Sequence, residues 1–216
     1  MLRTRQVVLG AAALLPLGLV MLRPAAHAAG GVDATHYTIT CDTLSKGTAG
    51  FVPSLRLPGG PMTETIKLKG TLSGCSATPD GSNPAVQVIS GSVSGLLTGN
   101  TNSCTSLLGP TATTGTITIK WKTVPALLES ATVITLTSGD VSGGTTTPFS
   151  PDTASYGLFT ISGTTQTGPF SGPSGTGAAS FTKALTVQGA VGLANTCASA
   201  HGLKSVNLGS TEFQGG

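Results

Sequence analysis

Charge is the scarcest property of this chain. Only 9% of its residues are Asp, Glu, Lys or Arg, against about 25% in ordinary soluble domains. The formal net charge of +3 shrinks on inspection, because Arg3, Arg5 and Arg23 sit in an N-terminal leader. Beyond it stand Arg56 and seven lysines against five aspartates and three glutamates, a formally neutral chain. Neutrality gives no support to general polyanion binding driven by net charge, and no nucleic-acid partner is expected. Chemical motifs are missing too. There is no G-x-S-x-G elbow, no EF-hand loop, no His pair at i, i+4 and no close cysteine pair. These gaps give no footing to a nucleophile-elbow hydrolase, an EF-hand calcium site, a helix-borne zinc protease or a zinc finger. No cofactor is expected, although a calcium site built from loop carbonyls would leave no trace in sequence.

What is present begins with the leader. Arg3 and Arg5 precede an apolar run from Val7 to Leu22, interrupted by Gly10, Pro16 and Gly18, and Ala26-His27-Ala28 follows. A basic start, an apolar stretch and small residues at −3 and −1 spell a secretory signal peptide over residues 1–28. The run is too short and broken to read as a membrane span. Arg3 and Arg5 do not form a twin-arginine pair, and no cysteine near the cleavage site offers a lipid anchor. The expectation is a single mature domain, 29–216, secreted, extracellular or loosely envelope-associated.

Cys41, Cys75, Cys104 and Cys197 all lie in that mature part, spaced by 34, 29 and 93 residues. An even number in an exported protein reads as two disulfides. Three connectivities are open. Local pairing favours Cys41–Cys75 with Cys104–Cys197.

Apolar residues recur with period two. Tyr37, Ile39 and Cys41 alternate with His36, Thr38 and Thr40; Ile66, Leu68, Gly70 and Leu72 alternate with Lys67, Lys69, Thr71 and Ser73. Ile117, Ile119 and Trp121 repeat the pattern, as do Thr132, Ile134 and Leu136, Phe159 and Ile161, Phe181, Leu185 and Val187, and Val206 and Leu208. Phe51, Pro53, Leu55 and Leu57 make a shorter segment whose Pro53 suits an edge strand. A phase change between Val88 and Val93, near Gly91, predicts a bulge. Roughly nine strands between turn-rich loops specify an all-β fold, an antiparallel β-sandwich of Ig-like or jelly-roll-like kind, stabilised by disulfides.

The segments TITC (38–41), GTLSGC (70–75), SGSVSG (90–95), SCTSLL (103–108), TGTITIKW (114–121), GTTQTGPFSG (163–172) and TCASAHGLKSVNL (196–208) resemble a group of exported four-cysteine all-β proteins of actinobacteria. That group has no established activity. The resemblance implies the fold and the export, and transfers no catalytic residue.

Candidate chemistry is thin. His36, flanked by Asp33 and Asp42, reads as a surface residue beside a frayed N-terminus, and His201 as a turn residue. Asp80, Asp140 and Asp152 sit in turn contexts, while Glu64, Glu129 and Glu212 are scattered. No catalytic site is expected. The candidate binding surface is Lys67, Lys69, Lys120 and Lys122, which would gather four ammonium groups if their strands share a sheet, with Tyr37 and Tyr156 as sugar-ring platforms. Trp121, in phase with Ile117 and Ile119, belongs to the core, while Phe149 and Phe170 fall in loops that cap the fold. The expected function is a non-catalytic structural or binding protein of the cell surface or extracellular space. A carbohydrate-binding module is the first alternative and an extracellular hydrolase with a dispersed acidic pair the second. The partner is open: an envelope polymer, a glycan or a surface protein.

Overall fold

The alternation of β-branched and hydroxylated residues produces long strands, and each of the first five pairs with its sequence neighbour. The structure is a computed structural model, and it describes residues 31–57, 59–60, 63–81, 83–99, 103–104, 113–138, 140–143, 155–172, 177–188, 193–209 and 212–216. The expected leader, residues 1–28, lies outside the described residues. Residues Gly31–Gly216 form one compact unit.

In chain order the strands are β1 (Thr38–Leu55), β2 (Glu64–Thr78), β3 (Gln87–Gly99), β4 (Thr114–Val124), β5 (Ala131–Leu136), β6 (Val141–Gly143), β7 (Ser155–Thr167), β8 (Ala178–Gln188), β9 (Leu203–Gly209) and β10 (Phe213–Gly215), with a short helix α1 (Leu193–Ala198) before β9. Every strand pairing is antiparallel. The expected all-β, disulfide-stabilised antiparallel fold is what the structure shows. Its ladder runs β1-β2-β3-β4-β5-β7-β8 and then returns to β1, because β9 and β10 each pair with both β8 and β1. The two short strands divide one place in the ring. β10 covers Ile39–Cys41 of β1, and β9 covers Gly47–Leu55. Among the described residues β6 pairs with β7 alone.

The inward positions form one core, from Tyr37 and Ile39 through Leu72, Val93, Ile119 and Ile134 to Val206 and Phe213. Burial of this apolar surface is the dominant stabilising contribution. Trp121 is the largest member. Its indole N–H donates to Thr132 Oγ1 at 2.8 Å, and the threonine hydroxyl donates to the Pro169 carbonyl at 2.6 Å. Phe170 meets the indole edge-on, with ring centroids 5.1 Å apart, and is fully buried. It therefore caps the fold, as expected; Phe149 lies outside the described residues. Gly91 makes room for the indole, since a Cβ there would sit 2.6 Å from the ring.

Three local expectations are refined. The bulge in β3 lies between Val88 and Ser90, so Val88 and Val93 both point inward and Ile89 is left exposed. Pro53 lies in β1, an interior strand and not an edge one. It is tolerated because the β2 ladder ends at Val52 and the β9 ladder is interrupted between Gly50 and Leu55, so no pairing is asked of it. The N-terminal segment is not frayed. Val32 N–H donates to Ala126 O at 2.8 Å, Leu128 N–H donates to Val32 O at 3.0 Å, and Ala34 O accepts from Phe170 N–H at 2.8 Å.

Both disulfides form in the favoured connectivity. Cys41 and Cys75 are directly paired residues of β1 and β2. Cys104–Cys197 ties the segment after β3 to α1, with Cα atoms 6.2 Å apart. Between them runs the chain leaving β1, which donates from Leu57 N–H to Cys197 O and accepts at Arg56 O from Cys104 N–H. This bridge clasps the end of the sheet where β1 finishes.

Candidate functional site

The four candidate lysines do meet on one face. Inward Ile66, Leu68 and Leu72 force Lys67 and Lys69 outward on β2, and inward Ile117, Ile119 and Trp121 do the same for Lys120 and Lys122 on β4. All four are exposed. β2 and β4 flank β3, whose outward residues between them are Ser90, Ser92, Ser94 and Leu96. No aspartate or glutamate occupies an outward position of these three strands. The remaining outward side chains are mainly hydroxyls, including Thr65, Thr71, Thr98, Thr114, Thr116 and Thr118. Ammonium groups interspersed with hydroxyl donors form a surface suited to oxyanions.

Tyr37 is not a platform. It is fully buried, and its hydroxyl donates to the Pro84 carbonyl at 2.6 Å. Its inward phase with Ile39 and Cys41 settles the matter, and burial pushes its phenol above the ordinary value. Tyr156 belongs to β7, but its side chain lies outside the described residues.

Two carboxylates, Asp33 and Glu129, line one pocket of about 110 Å³ with Thr35, Leu128 and Pro169. Asp33 is engaged locally. Its Oδ1 accepts from both the backbone N–H and the hydroxyl of Thr35, which holds its carboxyl below the ordinary value. Both acids are exposed, and the pocket is far smaller than the 300–1,000 Å³ or so of a usual ligand cleft. His36 is exposed beside this turn, and His201 sits in the turn that follows α1, where its carbonyl accepts from Ser54 Oγ at 2.7 Å. Asp140 Oδ2 accepts from the Thr137 backbone and hydroxyl, a turn-forming role, while Asp80 lends its carbonyl to Asn83. Asp152 lies outside the described residues. Among the described residues no three His, Cys, Asp or Glu side chains gather to hold a metal ion.

The residue that sequence reading passed over is Glu64. It opens β2 on the inward phase, opposite Gly99 of β3, and is only 3% exposed. A Cβ on Gly99 would lie 2.6 Å from its Oε1, and its Oε2 has no hydrogen-bond partner. Burial alone raises its pKa to about 7. The signal was available: Glu64 continues the inward series of Leu72, Gly70, Leu68 and Ile66 by one more step.

Fold and surface together define a closed antiparallel β-protein with two disulfides, one apolar core among the described residues and a cationic outer face. Such disulfides suit an oxidising compartment. No helix among the described residues is long and apolar enough to cross a membrane. No protein-family model, curated protein or solved structure matches the chain.

Proposed function

We propose that this is an exported, non-catalytic binding protein of the cell surface or extracellular space that holds an anionic partner through the outer face of β2, β3 and β4. The observation that carries the reading is the convergence of Lys67, Lys69, Lys120 and Lys122 on a face without a single carboxylate. In a chain that is neutral beyond its leader, that distribution is a local concentration of charge, and local fields steer association even where net charge does not. The two disulfides and the leader-like residues 1–28 support export.

The test is fractionation of the producing cells together with intact-mass analysis. The expected result is a mature protein starting at Ala29 that is retained on the envelope and released by salt. A variant carrying Lys→Gln at all four positions should be found free in the medium. Wild-type protein that shows no salt-sensitive retention overturns the reading.

A further inference from the structure

The register of the β2–β3–β4 ladders spaces the four ammonium groups in a way that neither lysine pair reveals alone. Along β3, Ser90 faces Lys122 and Ser92 faces Lys120, both on β4; Ser94 faces Lys69 and Leu96 faces Lys67, both on β2. Four successive outward rows therefore carry one lysine each. The opposite place is filled by Thr71 in the Ser92 row, Thr118 in the Ser94 row and Thr116 in the Leu96 row. Two residues of strand advance about 6.6 Å, so the charges step along β3 at that pitch over about 20 Å. The small side chains of Ser90, Ser92 and Ser94 make β3 the floor of a trough, and the lysines rise on either side of it.

Resting on the binding role just proposed, we infer that this trough holds one extended, linear polyanion whose charges recur every ~7 Å, a phosphodiester-linked polyol chain. A single compact anion cannot engage lysines at the two ends of a row set about 20 Å long. Duplex DNA presents a charge roughly every 1.7 Å, far denser than one per row. Single-stranded nucleic acid draws much of its affinity from stacking on aromatic side chains, and no outward position of these strands is aromatic. A lipid surface calls for a broad apolar contact among the cations, whereas Leu96, 58% exposed, is the one large apolar side chain in the four rows. Serine and threonine hydroxyls between the ammonium groups complete the donors that phosphodiester oxygens accept from.

The experiment separates pitch from charge. Binding of soluble poly(glycerol phosphate) is measured by calorimetry at low salt for the wild type and for the double variant Lys69→Ser/Thr71→Lys. That variant keeps four lysines on the face but empties the Ser94 row and doubles the Ser92 row. A second variant, Lys120→Thr/Thr118→Lys, makes the mirror change on β4 and serves should the first fail to fold. The expected result is binding by the wild type and about threefold weaker binding by each row-shifted variant, the worth of one exposed ion pair. Equal affinity of the wild type and the folded row-shifted variants overturns the inference while leaving the anionic-partner reading standing. So does a wild type that ignores the polymer yet still shows salt-sensitive envelope retention. Preference for oligothymidylate or for phosphatidylglycerol vesicles also overturns it, and reassigns the face to nucleic acid or membrane. Loss of salt-sensitive retention altogether is the failure of the underlying reading instead.

Discussion

Glu64 is the residue whose chemistry departs furthest from its surroundings. Its carboxyl is driven from the ordinary 4.5 to about 7 by burial. A carboxyl with a raised folded-state pKa is held in its neutral form by the fold. The protein is then most stable below the unfolded pKa, loses stability as pH climbs from about 4.5 to about 7, and is level above that. The full loss is on the order of 3 kcal/mol at 1.36 kcal/mol per pKa unit. Glu64→Gln should remove the dependence. Thermal melts are expected to match the wild type near pH 4 and to exceed it by several degrees at pH 8; coincident curves at both values would show that the carboxylate finds solvent. Thr132 offers a second check, because it both receives the Trp121 indole N–H and donates to Pro169 O. Thr132→Val keeps the volume but strands both partners in the core, at an expected cost of about 2–4 kcal/mol. Since Trp121 is the only tryptophan of the chain, its fluorescence reports the change together with a urea titration.

At the scale of elements, the two cross-links differ in what they constrain. Cys41–Cys75 joins residues already paired across two ladder-bonded strands, whereas Cys104–Cys197 joins segments 93 residues apart. Replacing Cys104 and Cys197 by serine should lower stability by about 3–5 kcal/mol, and the same change at 41 and 75 by less, since loop entropy grows with the span closed. Denaturant melts of the two double variants give the comparison. Strand identity was legible in sequence because period-two alternation is a direct print of a sheet with one face buried; β2, β4 and β5 fell on the expected residues. What escaped notice lacked such a print. The segments around Tyr37 and around Phe51 read as two strands because Lys46, with a positive φ of 51°, and Gly47 break the phase; they are one strand, β1, with a bulge between Ser45 and Thr48. Helix α1, six residues long, is too short to show a period, and β6 and β10, three residues each, are too short to alternate. The lysine face was half legible: outward phase followed from sequence, but the row register depends on ladder pairing that no local pattern encodes.

The whole molecule concentrates its few charges. Because no carboxylate shares the face with Lys67, Lys69, Lys120 and Lys122, replacing all four with glutamine should leave the melting temperature unchanged or slightly raised. A fall of several degrees would mean that the lysine stems are part of the packing. The same global view fixes an order of events. Ile39, among the first residues of β1, pairs with Gly215, and Ala49 pairs with Val206. One edge of β1 is covered by β2, but the other is completed only by β9 and β10, far along the sequence, a high-contact-order arrangement that folds slowly. In a polypeptide made from its N-terminal side, β1 forms early and waits with one edge uncovered until β9 and β10 have followed. That delay is an interval of exposure to aggregation and proteolysis. Completion of the ring is thus a matter of timing, set by the arrival of β9 and β10.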